Sequence, residues 1–347
     1  MDMKVNAPLS PTFGWLRVNG TRLENVSVSA TAEIERELPA GVICAEAVPA
    51  EEIRTGSGEA VGALLRAAGI REEVYTVPDG VKAEDALRLH FRFVSGSGAD
   101  VRFVLGAGSE LTVVMDYTSA ESGLAAVRTR AYLGEGAVLR LVQLQRAGED
   151  FTLLNDLGAD CGGEARLALT RLVLSGKNTY DGCSVALRGD KSAFVTEIGY
   201  TVGGDGRLDM NYESIHTGKK TECDIRAAGV LSDRAFKLFR GTIDLRNGCS
   251  GSVGNEIEDV LLMDETVRNQ TIPVILCAEE DVVGNHGATI GRLDENLIFY
   301  LESRGMEREQ IYAMMARARI DAILRHIPDR KTVETLFPAL AEGEEQA

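Results

Sequence analysis

From about residue 101 onward, short runs of alternating apolar and polar residues recur along the chain, each introduced by a glycine-rich turn. The first glycines of four such units are 28, 28 and 42 residues apart, all multiples of 14: Gly106, Gly134, Gly162 and Gly204. Strand-and-turn units that recur at a fixed period are typical of a solenoid, in which each coil buries its inner face against the next. The pattern therefore predicts a stack of β-strands.

A β-sandwich is the alternative, because its strands also recur roughly every 8 to 12 residues. The common divisor of the spacings favours the solenoid. The absence of two-residue Asn-Gly or Asp-Gly hairpin turns between these strands points the same way. We therefore predict a mainly β protein built around a parallel β-helix.

The chain has a different pattern on either side of this region. The first part mixes charged stretches with a Pro-Ala-Gly turn and one short helical pattern that ends at Gly69. Near the C-terminus the period becomes helical, with Asp294 as a suitable N-cap for ENLIFYLESR and Gly305 as its stop. The predicted regions are a small mixed N-terminal region (1–95), a β-helix core (96–291) and a C-terminal helical segment (292–347).

The charge, apolar content and cysteine pattern of the chain restrict its possible binding partners and its cellular compartment. The 347 residues carry a formal net charge of −16, which argues against binding to nucleic acid or to an anionic membrane. The start, MDMKVNAPLSPTFGW, has no apolar signal-peptide core, and no stretch approaches the ~18 apolar residues of a transmembrane helix. Six scattered cysteines without a CxxC pair argue against a disulfide framework or zinc ribbon. We expect a cytoplasmic protein without nucleic-acid or membrane partners.

Four long stretches are distinctive: ELTVVMDYTS, FKLFRGTIDLRNG, EDVLLMDETVRNQTIP and EDVVGNHGATIGRLDENLIFYLESRG. Through them, residues 101–327 resemble the SufB/SufD family, the scaffold subunits of the Suf iron–sulfur cluster assembly system. The resemblance implies a right-handed parallel β-helix and pairing of two family members through its end. It also implies docking of the ATPase subunit SufC on C-terminal helices. The chain has no P-loop, GxxxxGK[ST], so we expect nucleotide on the partner and not on this chain.

His286, in the run NHGA, is the first candidate for chemistry. The resemblance implies that this position helps to hold a nascent cluster between two scaffold subunits, and neutral imidazole is a good iron ligand. The alternative is a histidine hydrogen-bonded in a turn between glycines. SufB-type members carry Glu directly after this histidine and Cys at the position of Glu258. This chain has Gly287 after it, as SufD-type members do, so it resembles SufD here.

Four further residues are candidate ligands for iron or for a transient iron–sulfur cluster. Cys277, followed by Glu279 and Glu280, precedes the histidine closely, so a thiolate, carboxylates and an imidazole could converge on iron. The alternative for Cys277 is packing inside the β-helix, since VILC alternates and free cysteines are often buried. Glu258 is a further candidate oxygen ligand, but the favoured interpretation is an exposed carboxylate on a turn.

The helix that follows Asp294 is the candidate SufC-docking surface. It carries more apolar side chains than one face of a short helix needs, and exposed aromatics are typical interface anchors. The alternative is that these side chains cover the end of the β-helix, because open solenoid ends need caps. The candidate docking residues are Leu297, Phe299, Tyr300, Leu301, Arg304 and Gly305.

Three functions are compatible with these observations. The first is a non-enzymatic scaffold subunit that pairs with another SufB/SufD-type chain and is coupled to SufC. The second is a sole scaffold that forms a homodimer, with two His286 sites facing each other and Cys277 supplying sulfur ligation. The third is a polysaccharide lyase or hydrolase. Such β-helix enzymes bind sugars with aromatics and rows of charged residues, whereas the single tryptophan, Trp15, lies outside the predicted solenoid.

Overall fold

Five short strands and one helix come first in the computed structural model, which describes residues 1–46 and 52–336. They are β1 (Met3–Val5), β2 (Thr21–Leu23), β3 (Ala30–Thr31), β4 (Glu33–Glu37), β5 (Ile43–Glu46) and α1 (Glu59–Ala67), with a 3-10 turn at Gly14–Leu16. The buried face of α1 packs on the outer side of the body of the protein. The predicted short helical pattern is therefore confirmed as α1.

Two long parallel sheets form that body, and the chain alternates between them. The first contains β6 (Glu72–Val77), β8 (Ser97–Leu105), β10 (Ser122–Leu133), β12 (Asp150–Cys161), β14 (Asn178–Leu187), β16 (Arg207–His216), β18 (Phe236–Leu245) and β20 (Arg268–Cys277). The second contains β7 (Leu87–Phe93), β9 (Glu110–Ser119), β11 (Val138–Arg146), β13 (Arg166–Ser175), β15 (Ala193–Val202), β17 (Glu222–Leu231), β19 (Ser252–Leu262) and β21 (Val282–Gly291). One strand of each sheet makes a coil, and eight coils stack. The predicted parallel β-helix is confirmed.

The 14-residue spacing in the sequence is half of one coil. Ser122 pairs with Asp150, a full coil of 28 residues further on. Later coils are longer, since Phe236 pairs with Arg268, 32 residues on. Side chains that point between the sheets form one continuous core along the solenoid. The alternation that predicts the strands therefore also determines which side chains are buried.

The N-terminal end of the solenoid is covered by strands. β4 pairs antiparallel with β7, and β5 pairs antiparallel with β6, so both strands of the first coil have an outer neighbour. This first coil begins at Glu72, earlier than the predicted boundary at residue 96. Its turn, Pro78-Asp79-Gly80, differs from the glycine-rich turns of the later coils, so the repeat is not visible there in the sequence.

The opposite end is open. β20 and β21 are the last strands of their sheets, and no described strand covers them. The helices that follow are α2 (Glu295–Glu302), α3 (Arg308–Leu324) and α4 (Arg330–Leu336). Their buried side chains pack on the outer face of the second sheet, first on β17 and β19 and then on β11 and β13. The helices therefore run back along the side of the solenoid. The alternative that they cover the end of the β-helix is wrong.

The remaining residues of the predicted C-terminal segment, 337–347, lie outside the described part of the chain, as do residues 47–51. Within the described part, no helix is long and apolar enough to cross a membrane.

Candidate functional site

The two edge strands at the open end carry almost no charge. Across β20 and β21, only Arg268 is a charged residue. At the covered end, four of the five residues of β4 are charged: Glu33, Glu35, Arg36 and Glu37. Charged side chains on an edge strand discourage pairing with another chain, whereas an uncharged, exposed edge favours it. The open end is therefore suited to receive a further strand.

The strand register shows which side chains of the last coil point inward. Glu256 of β19, which is buried, pairs with His286 of β21. Leu245 of β18, a core residue, pairs with Cys277 of β20. His286 and Cys277 thus belong to inward-facing rows, but both are exposed because no further coil of the described chain lies above them. Neither alternative holds: His286 lies on a strand and not in a turn, and Cys277 is not packed in the core.

His286 and Cys277 of one chain lie far apart along the strands. Across the core, Ile275 faces Gly284: a Cβ on that glycine would lie 3.1 Å from the Ile275 Cγ2 atom. If β20 and β21 are followed along the chain from this pair, Cys277 lies opposite Val282. His286 lies opposite the residue four positions before Cys277. Four residues of strand span about 13 Å. The thiol and the imidazole of one chain therefore do not meet at a single ion.

The acidic residues after Cys277 belong to the corner of the last coil. The carboxylate of Glu279 accepts hydrogen bonds from the Gly248 amide at 2.8 Å and the Glu280 amide at 3.0 Å, which lower its pKa. The Cys277 thiol donates to the Glu279 carbonyl at 3.1 Å. In the described residues, no three His, Cys, Asp or Glu side chains are placed to hold a metal ion. The ligand roles of Cys277, Glu279, Glu280 and His286 stay predictions that need ligands from a second chain.

Glu258 is buried, which corrects the expectation of an exposed carboxylate on a turn. It lies on β19 with a side chain that is 1% exposed, and it forms an ion pair with the buried Lys237 of β18. The Thr271 hydroxyl donates to Glu258 at 2.6 Å and the Tyr200 hydroxyl at 3.3 Å. Burial lowers the pKa of Lys237, and the nearby carboxylate opposes that change. Both Glu258 oxygens are therefore engaged inside the protein.

Glu256 is a residue of the same strand that the sequence interpretation missed. It is 2% exposed, and within the described residues its Oε2 atom has no hydrogen-bond partner. Burial raises its pKa to about 8, and the charge of Glu258 adds to the rise. The sequence does contain a signal for it, because NEIEDV places two glutamates two residues apart, on one face of a strand. The register was needed to show that this face is the inner one.

Helix α2 begins and ends where the sequence predicts. The Asp294 carboxylate accepts from the Asn296 amide at 2.7 Å, and Gly305 has a φ of +91°, the left-handed conformation that terminates many helices. Ile298 is fully buried against β17 and β19 and fixes the helix on the solenoid. The start of α2 is only a few residues beyond the end of β21.

The outer side of α2 presents aromatic rings to solvent. Phe299 is 72% exposed and Tyr300 is 52% exposed, and Leu297 is also exposed. The Arg304 guanidinium lies 5.2 Å from the centre of the Tyr300 ring, at cation–π distance. Leu301 packs partly against the cluster beneath the helix. Exposed rings on a well-anchored helix form a candidate contact surface. The predicted docking of a SufC-type ATPase requires such a surface.

Comparison with known proteins identifies the family. Residues 95–319 match the family described as SUF system FeS cluster assembly, SufBD core domain. The chain belongs to this family. Proteins with this domain take part in iron–sulfur cluster assembly, which argues against the polysaccharide-acting enzyme considered above.

The individual SufBD relatives that the chain matches have low sequence identity to it. The chain is 26% identical over 177 residues to the iron–sulfur cluster assembly protein SufD of Bacillus subtilis (strain 168), covering 51% of this chain and 40% of that protein. It is 22% identical over 272 residues to SufB of the same strain, covering 74% and 57%. It is 30% identical over 132 residues to the SufBD family protein Rv1461 of Mycobacterium tuberculosis (strain ATCC 25618 / H37Rv), covering 38% and 16%. The match thus spans less than two thirds of each of these relatives.

Proposed function

We propose that this SufBD-family chain is a non-catalytic scaffold subunit that pairs with a second SufB/SufD-type chain through the open end of its solenoid. The observation that carries the proposal is the pair of exposed, almost uncharged edge strands, β20 and β21, with His286 and Cys277 on their inward-facing rows. Pairing at these edges would satisfy the free backbone groups of both strands. It would also place the inward rows of two chains opposite each other.

A cluster at this interface needs ligands from both chains. Iron–sulfur clusters are held mostly by thiolates, with histidine replacing some of them in certain sites. His286 and Cys277 of one chain are too far apart to hold the same iron. In a heterodimer, the second chain supplies thiolates opposite His286. In a homodimer, Cys277 of the second copy is the available thiolate. Both arrangements make the cluster a transient cargo of the interface.

The outer side of α2 is the proposed docking surface for a SufC-type ATPase. Phe299 and Tyr300 are exposed anchors, and Ile298 holds the helix rigidly on the solenoid. The chain has no P-loop, so ATP would be hydrolysed by the partner. Because α2 follows β21 almost directly, a movement of the docked ATPase would act on the strand that carries His286.

Co-expression tests this proposal. A tagged copy of the chain is produced with a SufC-type ATPase, with and without a second SufB/SufD-type chain. The molar mass of the purified complex is then measured by gel filtration with light scattering. We expect a complex that contains the ATPase and two scaffold chains, either two copies of this chain or one copy with the second chain. A monomer that retains neither partner would contradict the proposal.

A further inference from the structure

Glu256 and His286 are direct neighbours in the second sheet. They form a register pair on the parallel strands β19 and β21, so their Cα atoms lie about 4.8 Å apart and their side chains point to the same, inner face. Glu256 belongs to the last coil that is covered, and His286 belongs to the open one. A ligand that reaches the His286 ring from the open end therefore lies beside the Glu256 side chain.

One oxygen of the Glu256 carboxylate, Oε2, is held between the sheets without a hydrogen-bond partner among the described residues. A Cβ atom at Gly241, on the facing strand β18, would lie only 2.2 Å from Glu256 Oε2, so the carboxylate occupies the space that this glycine leaves. Oε2 is buried and accepts no hydrogen bond from the part of the chain that the structure describes. An unsatisfied buried polar group costs about 1–3 kcal/mol. Such a group calls for a functional or structural reason.

The neighbouring Glu258 lies in the same layer, and both of its carboxylate oxygens have hydrogen-bond partners. Its oxygens are taken by Lys237, Thr271 and Tyr200. Although Lys237 is near enough to influence Glu256, its ammonium group is bonded to Glu258 and Thr271. Of the two glutamates on this inner face, Glu256 is thus the one with a free oxygen next to His286.

We propose that Glu256 and His286 together form half of a binding site for ferrous iron at the open end of the solenoid. A carboxylate oxygen and an imidazole nitrogen suit a divalent first-row metal ion. The described part of one chain offers no third His, Cys, Asp or Glu at such a site, so water or the second scaffold chain completes the coordination. This inference rests on the proposed function and deepens it, since it assigns iron binding to this chain's own residues and gives the role to Glu256 in place of Glu258.

Anaerobic titration of the purified full-length protein with Fe²⁺ tests the site, with calorimetry as the measurement and Co²⁺ absorption in the visible range as a second readout. Glu256→Gln keeps the shape of the side chain and removes the carboxylate that would bind the ion. We expect Glu256→Gln and His286→Ala each to weaken Fe²⁺ binding at least about tenfold, a loss typical even of residues that only hydrogen-bond a metal ligand. Asp259→Asn, which changes an acidic residue of the same strand that points away from the core and pairs with Arg319 at 3.4 Å, is the matched control and should bind as the wild type does.

Gly241→Ala provides an independent arm, because it replaces neither of the two proposed ligands. The added methyl group would displace the Glu256 carboxylate, so Fe²⁺ binding should weaken while His286 remains in place. Circular dichroism confirms that each variant is folded. Fe²⁺ affinity of Glu256→Gln within twofold of the wild type would overturn the inference, as would a wild-type protein that binds no Fe²⁺. Either result would leave the co-expression test of the scaffold function unaffected, so the two failures can be told apart.

Discussion

Lys237 and Glu258 form an ion pair inside the solenoid, in the layer directly beneath its open end. The side chains are 0% and 1% exposed. Two opposite buried charges stabilise each other. A buried charge without its partner destabilises the folded state, because a charge in the low-dielectric interior loses its hydration. The layer beneath the open end is therefore polar and depends on exact pairing.

Breaking this pair should strongly destabilise the protein. We predict that Glu258→Leu lowers the free energy of unfolding by about 3–5 kcal/mol, because Lys237 stays buried without its partner. The double variant Lys237→Met/Glu258→Leu should recover most of the loss. Urea denaturation followed by circular dichroism measures both. Glu164→Gln, which breaks an exposed pair with Lys191, is the control and should have no measurable effect. A Glu258→Leu variant as stable as this control would contradict the prediction.

Asp156 makes the stability of the protein depend on pH. It lies on β12 beneath the N-terminal region, where its Oδ1 atom accepts from the Ser57 amide at 2.8 Å, and burial raises its pKa to about 7 from 3.8. Between these two values the folded state holds a proton that the unfolded state has lost, so stability falls as pH rises. At about 1.4 kcal/mol per pKa unit, the loss between pH 4 and pH 8 is about 4 kcal/mol.

The variant Asp156→Asn isolates this contribution. Asparagine keeps an oxygen for the Ser57 amide but does not titrate, so the variant should lose about 4 kcal/mol less stability than the wild type between pH 4 and pH 8. Urea denaturation at several pH values measures the difference. Parallel pH profiles of the two proteins would show that Asp156 is not the titrating group.

Scaffold pairing should be sensitive to a charge at the open end. Ile290 lies on β21 and is 43% exposed, so Ile290→Lys should fold normally and still block edge pairing, as lysines do on natural edge strands. We predict that the two-scaffold complex is lost in gel filtration with light scattering. Ile43→Lys places the same change on β5 at the covered end, where Ile43 is 54% exposed, and should leave the complex intact. Equal behaviour of the two variants would argue against pairing through the open end.

ATPase docking should depend on the exposed rings of α2. The double variant Phe299→Ala/Tyr300→Ala removes two candidate anchors. Loss of a single hot-spot anchor costs about 2 kcal/mol, or about thirtyfold in affinity, so the affinity of the double variant for a SufC-type ATPase should fall by at least that factor. Phe13→Ala/Trp15→Ala is the matched control, since these N-terminal rings are 72% and 77% exposed. Surface plasmon resonance measures both. An unchanged affinity of the α2 variant would place the docking surface elsewhere.

The local pattern of the sequence predicts much of this fold. The 14-residue spacing predicts the coils, and the cap residue Asp294 and the stop residue Gly305 predict the ends of α2. Strand alternation, turn chemistry and helix capping are short-range features, because they act within a few residues of the chain. The predicted mainly β body follows from them.

The arrangement of the ends and of the inner face could not be predicted in this way. The covering of the first coil by β4 and β5, and the packing of α3 along the second sheet, depend on contacts between distant residues. Which face of β19 points inward depends on register, and a slip of one residue reverses it. For that reason the sequence predicts Glu258 on the surface and does not distinguish Glu256 as a candidate.

Anaerobic reconstitution with iron and sulfide tests the central claim most directly, which is that the open end with His286 is where the cluster is held. The purified scaffold complex is loaded, and the visible absorption of the iron–sulfur chromophore is measured for the wild type, for His286→Ala and for Cys277→Ala. We predict that His286→Ala loses most of the chromophore of the wild type. In a homodimer Cys277→Ala should lose it as well. A chromophore that neither substitution changes would contradict the claim.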